Sequence, residues 1–309
     1  MPIAPGRPRA LLPAVLAAVL ACVFAVTGTA RASAATARHV VAYYQTQYVT
    51  NADGSQTYVS PRPLGGTATD IELAAFHLNG DGTIHLNDDP PSAAKFTTMW
   101  SDLAALQRSG TRVEAMLGGA AQGSYANLHA NFGKYYGLLR TTLRTYHLNG
   151  IDLDIEESFS LADTKHLISQ LRADFGSGFV ITLAPVATDL AGSSAFSGGF
   201  SYASLEQQAG SQINWYNAQF YCGWGDLSDT SSYDDVVAAG FSASRVVAGT
   251  VTNPDNCSGY VSPDQLTSTI TSLVSSYPDF AGVAGWEYFN SLGPSGPASW
   301  FQSVKNAMS

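Results

Sequence analysis

The sequence predicts an α/β protein built as a single (β/α)8 TIM barrel, and three observations lead there. Short apolar runs rich in Val, Ile, Tyr and Phe recur about every 30 to 40 residues. Segments of helical spacing lie between most of them. A chain of 309 residues, 45% of them hydrophobic, has the length and apolar content for one core of barrel size. A doubly wound open sheet shares this alternation, but no GxGxxG follows the first strand here.

The predicted strands are 39–44 (HVVAYY), 71–76 (IELAAF), 112–117 (RVEAML), 150–156 (GIDLDIE), 179–185 (FVITLAP), 213–221 (INWYNAQFY), 245–250 (RVVAGT) and 281–288 (AGVAGWEY). Helices are predicted near 93–108, 126–147, 162–174, 232–240, 263–276 and 297–308. The 263–276 helix carries the clearest start signal. Ser262 is placed to cap it, Pro263 takes a first-turn position where no N–H is needed, and Gln265 completes a capping box. Strands and helices alternating in this way close into a barrel. The irregular stretches 45–68 and 188–203, rich in Gly, Ser, Thr and Asn, both follow strands, which puts them on the face where barrels carry their sites.

The N-terminus reads as a secretory signal peptide over residues 1–34, leaving a barrel over 35–309. Arg7 and Arg9 precede an apolar run from Leu11 to Val26, and small-residue steps at Ala30, Ala32 and Ala34 offer the cleavage site. Pro13 interrupts the run, which is shorter than the ~20 apolar residues a membrane span needs. The expectation is therefore a secreted monomer with no membrane attachment after processing. Cys22 leaves with the signal, and the even pair that remains, Cys222 and Cys257, suggests one disulfide. On a barrel, the ends of the sixth and seventh strands that carry these cysteines are neighbours.

Neither a metal nor a cofactor is expected. His39, His77, His85, His129, His147 and His166 fall singly, without HExxH or similar ligand spacing. A formal charge of −9 with only 13% charged residues excludes nucleic acid as a partner and suits a weakly charged polymer such as a glycan.

The segment Asn149-Gly150-Ile151-Asp152-Leu153-Asp154-Ile155-Glu156-Glu157 carries the chemistry. Side chains alternate along a strand, so Asp152, Asp154 and Glu156 share the inward face while Ile151, Leu153 and Ile155 face the helices. Stacked carboxylates repel, and at least one pKa must rise. That is costly for a scaffold and useful to a glycosidase, which needs a carboxylic acid still protonated near neutral pH. By the same parity Glu157 and Glu287 point away from the interior and read as structural.

This strand resembles the DGxDxDxE signature of the family 18 glycoside hydrolases, with Asn149 in place of its first Asp. The likeness covers most of the chain after the signal. Gly118-Gly119 through Gly123-Ser124-Tyr125 resembles the glycine turn after the third strand, with Met116 where the family often has Ser. Gln219-Phe220-Tyr221 and Ser258-Gly259-Tyr260-Val261 are similar to the plant-type, hevamine-like chitinases, and Trp286 sits where the family keeps a tryptophan on the eighth strand.

The resemblance implies a retaining mechanism in which the substrate supplies the nucleophile. Glu156 is then the acid and base, Asp154 holds the acetamido N–H, and Asp152 shares a proton with Asp154. Tyr221 donates to the acetamido oxygen, with Gln219 beside it. Trp286 forms the floor for the reacting sugar, and Gly118 and Gly119 shape the turn at its edge. Tyr43, Tyr44 and Phe76 are further candidates for sugar contacts. The implied substrate is an N-acetylglucosamine polymer, chitin. The alternatives are an endo-β-N-acetylglucosaminidase acting on the N-glycan chitobiose core and a non-catalytic glycan-binding barrel.

Overall fold

A computed structural model describes residues 1–4, 6 and 38–309. The predicted signal segment and its cleavage sites therefore lie almost wholly outside the described residues. The barrel strands are β1 (His39–Tyr44), β2 (Asp70–Leu78), β3 (Arg112–Gly118), β4 (Gly150–Asp154), β5 (Val180–Leu183), β6 (Trp215–Gln219), β7 (Val246–Val251) and β8 (Gly282–Trp286). Each runs parallel to the next, and β8 closes on β1 with His39 opposite Gly282 and Ala42 opposite Gly285. All eight lie where the apolar runs predicted them. A short strand, Ile84–Leu86, adds antiparallel to the end of β2 and sets His85 opposite His77.

The helices are α1 (Thr97–Arg108), α2 (Ser124–Ala130), α3 (Phe132–Thr145), α4 (Leu161–Phe175), α5 (Ala187–Leu190), α6 (Tyr202–Ala209), α7 (Ser231–Ala238), α8 (Pro263–Ser276) and α9 (Pro297–Ala307). Three readings need correction. The helix predicted over 126–147 is two, because Asn131 leaves the helical region (φ −152°, ψ 77°) and its side chain caps α3 by accepting from the Lys134 N–H. The stretch 188–203, expected to be irregular, holds most of α5 and leads into α6, which Ser201 caps through the Ser204 N–H. At α8, Pro263 does occupy the first turn, but Ser262 makes no side-chain cap bond. Gln265 instead donates to the Ser228 carbonyl at 2.6 Å, which ties α8 to the loop before α7.

Two apolar layers result from strand alternation. Ile151, Leu153 and Ile155 are fully buried among the helices, and so are Tyr44 and Phe76, which makes those two aromatics core and not sugar contacts. The barrel interior holds Val41, Tyr43, Met116, Val180, Trp215, Val247 and Ala284 instead, together with an unusual load of acids. Cys222 and Cys257 form a disulfide with a Cα separation of 5.4 Å, joining the loops that follow β6 and β7. Among the described residues, no helix is long and apolar enough to cross a membrane.

Candidate active site

Period-two alternation on β4 places Asp152 deep in the barrel, Asp154 above it and Glu156 just past the strand's end. Asp152 is fully buried. Its carboxylate accepts from Tyr43 Oη at 2.7 Å, Thr182 Oγ1 at 2.6 Å and Asn217 Nδ2 at 3.2 Å. Burial lifts its pKa to about 6, and these three donors limit the rise. Above it, burial drives the Asp154 carboxyl well above the ordinary carboxylate range, with the charges of Glu156 and Asp152 adding to the effect. Burial also raises Glu156, against hydrogen bonds that draw it down.

The Asp154 carboxyl accepts from Gln219 Nε2 at 3.1 Å, and it lines the cavity together with Glu156. Asp152 acts on Asp154 through its charge and takes its own hydrogen bonds from three other strands.

A cavity of about 420 Å³ opens over this stack. Asp154, Glu156, Gln219, Tyr221 and Trp286 line it, with Gly118 and Gly119 at its edge. The Tyr221 phenol is pushed up by burial and by the Asp154 and Glu156 charges, so it stays an O–H donor. Trp286 tilts against Tyr43 with ring centroids 5.4 Å apart. Both glycines need the left-handed backbone (φ +97° and +84°), and a Cβ on Gly118 would fall 2.4 Å from the Asp154 carbonyl oxygen. The Gly119 N–H donates to that same oxygen at 2.9 Å, so the turn holds the backbone of Asp154.

The two outward glutamates are structural, as parity requires. Glu157 accepts from the Gly123 and Tyr125 N–H groups at 2.9 and 2.8 Å and pins the glycine turn. Glu287 accepts from Gln45 N and Thr46 N at 3.1 and 2.8 Å and fixes the loop after β1. Asn149 accepts from Val113 N at 2.9 Å, a task its amide oxygen performs as a carboxylate would.

Comparison with solved structures decides the family. A fungal endo-β-N-acetylglucosaminidase from glycosyl hydrolase family 18 is 43% identical with a TM-score of 0.81, over 86% of this chain and 96% of that one. The chain belongs to glycoside hydrolase family 18.

A second family 18 relative, the chitinase ChiC from Aspergillus fumigatus, is 45% identical with a TM-score of 0.78, over 88% of this chain and 100% of that one. A family 18 chitinase from Pseudoalteromonas aurantia, at 19% identity and a TM-score of 0.70 over 86% of this chain and 99% of that one, shares the fold. No family model matches the chain, and no curated protein matches it. Both family 18 relatives, at 43% and 45% identity, are glycosidases, and the chain is a glycosidase like them.

Sequence reasoning missed several residues of this family 18 site. Thr182 and Asn217 reach Asp152 from β5 and β6, while Met116, opposite Asp152 on β3, offers no donor. Phe196 and Trp224 tilt against each other with ring centroids 4.9 Å apart in the cavity lining, and Phe196 is 41% exposed. A broader cleft of about 670 Å³ adjoins the first, sharing Gln45, His77 and Ala121 with it and lined further by Asn79, Asn87 and Gln122.

Proposed function

We propose that this family 18 glycosidase hydrolyses the β-1,4 bond that follows an N-acetylglucosamine residue, with retention, using the sugar's own acetamido group as nucleophile. Chitin is the substrate, and the protein acts as a secreted monomer of residues 35–309 once the signal peptide is removed. One observation supports the mechanism: Asp154 and Glu156 are the carboxyls that line the cavity, two residues apart in the chain, with Gln219 and Tyr221 beside them. Two protein carboxyls that flank a scissile bond stand about 5 to 5.5 Å apart in a double displacement and about 6.5 to 9.5 Å apart in an inversion. Asp154 and Glu156 project from the same side of one chain segment and do not flank a bond from opposite faces, so the attacking atom belongs to the substrate.

In this mechanism Glu156 gives its proton to the glycosidic oxygen as the acetamido carbonyl oxygen attacks C1 from the opposite face. The C1–O bond breaks, the leaving sugar departs with the proton, and an oxazolinium ion remains. Asp154 accepts the acetamido N–H and opposes the positive charge, while the Tyr221 hydroxyl donates to the acetamido oxygen. Water then attacks C1, Glu156 takes its proton, and the acetamide is restored. Trp286 supplies a flat apolar surface beneath the pyranose.

A second reading, cleavage of the N-glycan chitobiose core, uses the same bond and the same residues. The adjoining 670 Å³ cleft favours it, because its lining of Gln45, His77, Asn79 and Asn87 suits a branched, hydroxyl-rich glycan. Product analysis on chitin oligosaccharides and on a high-mannose glycoprotein in parallel separates the two. Turnover of the glycoprotein alone would remove chitin, and turnover of a glucosamine-only polymer would remove acetamido participation.

A further inference from the structure

Asp152 does not reach the cavity, yet it is the acid of the stack best supplied with donors. One of these donors is itself oriented. Trp215 Nε1 donates to Asn217 Oδ1 at 2.9 Å, and Asn217 Nδ2 then donates to Asp152 Oδ1 at 3.2 Å. An indole N–H can only donate, so the amide must turn its oxygen to Trp215 and its NH2 to Asp152. Trp215 is held in turn: its ring stacks on His39 at 3.9 Å, and the Arg112 guanidinium sits 5.6 Å from it. Trp215, Asn217 and Asp152 are all buried. Because Thr182 also meets Oδ1, that oxygen is committed to accepting hydrogen bonds.

We propose that Trp215 and Asn217 are positioning residues for hydrolysis, a rigid donor relay that fixes the negative charge on Asp152 and confines any proton it takes to Oδ2, beside Tyr43. The inference rests on the reading of Asp154 and Glu156 given above. While Asp152 holds the charge, the proton the reaction needs stays in the Asp154–Glu156 pair. A proton captured by Asp152 neutralises the anion that supports that pair. Met116 cannot supply a donor from β3, so support comes from β1, β5 and β6.

The other titratable groups facing Asp152 do not replace the relay. Tyr43 faces it from β1, Glu72 from β2, Glu114 from β3 and Asp154 from its own strand. Glu72 and Glu114 are fully buried, none of their carboxyl oxygens is hydrogen-bonded, and burial raises both well above the ordinary carboxylate range, which favours their neutral forms. Arg112 is taken up by Asp70, which its Nε meets at 2.6 Å, and by Glu114 at 3.6 Å. Asp152 is therefore stabilised by neutral donors and not by a cation.

Asn217→Leu keeps the branched shape and removes the donor, and Trp215→Phe keeps an aromatic ring while removing the indole N–H. The measurements are kcat/KM against pH on an N-acetylglucosamine oligosaccharide and an NMR titration of the protein labelled with 13C at its aspartate carboxyls. Losing a hydrogen bond to the charged form raises a carboxyl's pKa. The acid limb should therefore move up by about one pH unit in Asn217→Leu and by less in Trp215→Phe. The double variant should be no worse than Asn217→Leu alone, since both changes act through one contact. Acid limbs that stay at the wild-type position, or additive effects, would overturn the relay. Should Asn217→Leu fail to fold, the Asp152 resonance in Trp215→Phe decides, and titration at the wild-type pH rejects the proposal. A wild-type protein that leaves the oligosaccharide uncut would count against the proposed function, and the NMR titration still reads the relay.

Discussion

Asp154, the last residue of the fourth barrel strand, accepts from the Gln219 amide at 3.1 Å, and Glu156, two residues on, joins both in lining the cavity. One proton between two such neighbours is energetically preferred to none, because Asp154 is buried, Glu156 is half-buried and their charges repel. The pair is thereby loaded for general acid catalysis before the sugar arrives.

Glu156→Gln should fold normally and lose between about a hundredfold and ten-thousandfold in kcat, the range general acid catalysis contributes. Asp154→Asn should approach that loss. Tyr221→Phe should lose less, because the acetamide still attacks with one fewer donor to orient it. Steady-state kinetics on oligosaccharides check all three, and an active Glu156→Gln enzyme would remove the residue from its role.

Stability should fall as pH rises, and Glu72 and Glu114 are the reason. Burial raises both well above their ordinary value of 4.5, with Asp152 among the charges that add to it. An acid with a raised pKa in the folded state binds more protons folded than unfolded. Its contribution is full below the ordinary value and is lost as pH climbs toward the folded one. Each group costs up to about 1.4 kcal/mol per pH unit within that window. The Glu72→Gln/Glu114→Gln variant should show a flatter dependence of its urea midpoint between about pH 5 and pH 8. A dependence as steep as the wild type's would mean that these groups ionise freely.

The acids that sequence reasoning found and those it missed obey one rule. Asp152, Asp154 and Glu156 were legible because three acids alternating with Ile and Leu have no other economical explanation. Asp70-Ile71-Glu72 and Arg112-Val113-Glu114 alternate in the same way, but two charged residues at the start of an apolar run look like a solvated strand end. What makes them interior is the register between strands, which sets Glu72 opposite Glu114 and Met116 opposite Asp152. Parity within one strand does not contain that information. Asn217 and Thr182 were hidden for the same reason. The short helices α5 and α6 were missed because each shows too few turns for a periodic signal, and the α8 capping box failed because Gln265 found a tertiary acceptor in Ser228.

Gly118→Ala should be worse for catalysis than its size suggests. A methyl there meets the Asp154 carbonyl at 2.4 Å and the Tyr125 ring at 2.6 Å, at a φ of +97°. Left-handed strain alone costs of order 1–3 kcal/mol. Relief requires the Asp154 backbone to move, so kcat should drop along with the melting temperature. Gly54→Ala, at φ +81° with nothing near its Cβ, is the control: it carries the same kind of strain and should leave kcat unchanged.

The disulfide links stability to the sugar site. Cys222 directly follows Tyr221, its N–H donates to the Ser258 carbonyl at 2.9 Å, and the Trp224 N–H donates back to the Tyr221 carbonyl at 3.1 Å. The bridge to Cys257 spans a sequence separation of 35 at a Cα distance of 5.4 Å, inside the range a disulfide accepts. By chain-entropy reasoning a loop of that length contributes roughly 3 to 4 kcal/mol. Cys257→Ser should therefore lower the melting temperature and also raise KM, because the segment carrying Tyr221 and Trp224 loses its anchor on the β7 side. The pairing itself is read by mass spectrometry of the unreduced, alkylated protein, where neither Cys222 nor Cys257 should carry label. If the variant melts early but keeps its KM, the bridge serves the fold alone and Tyr221 is held by the barrel strand without it.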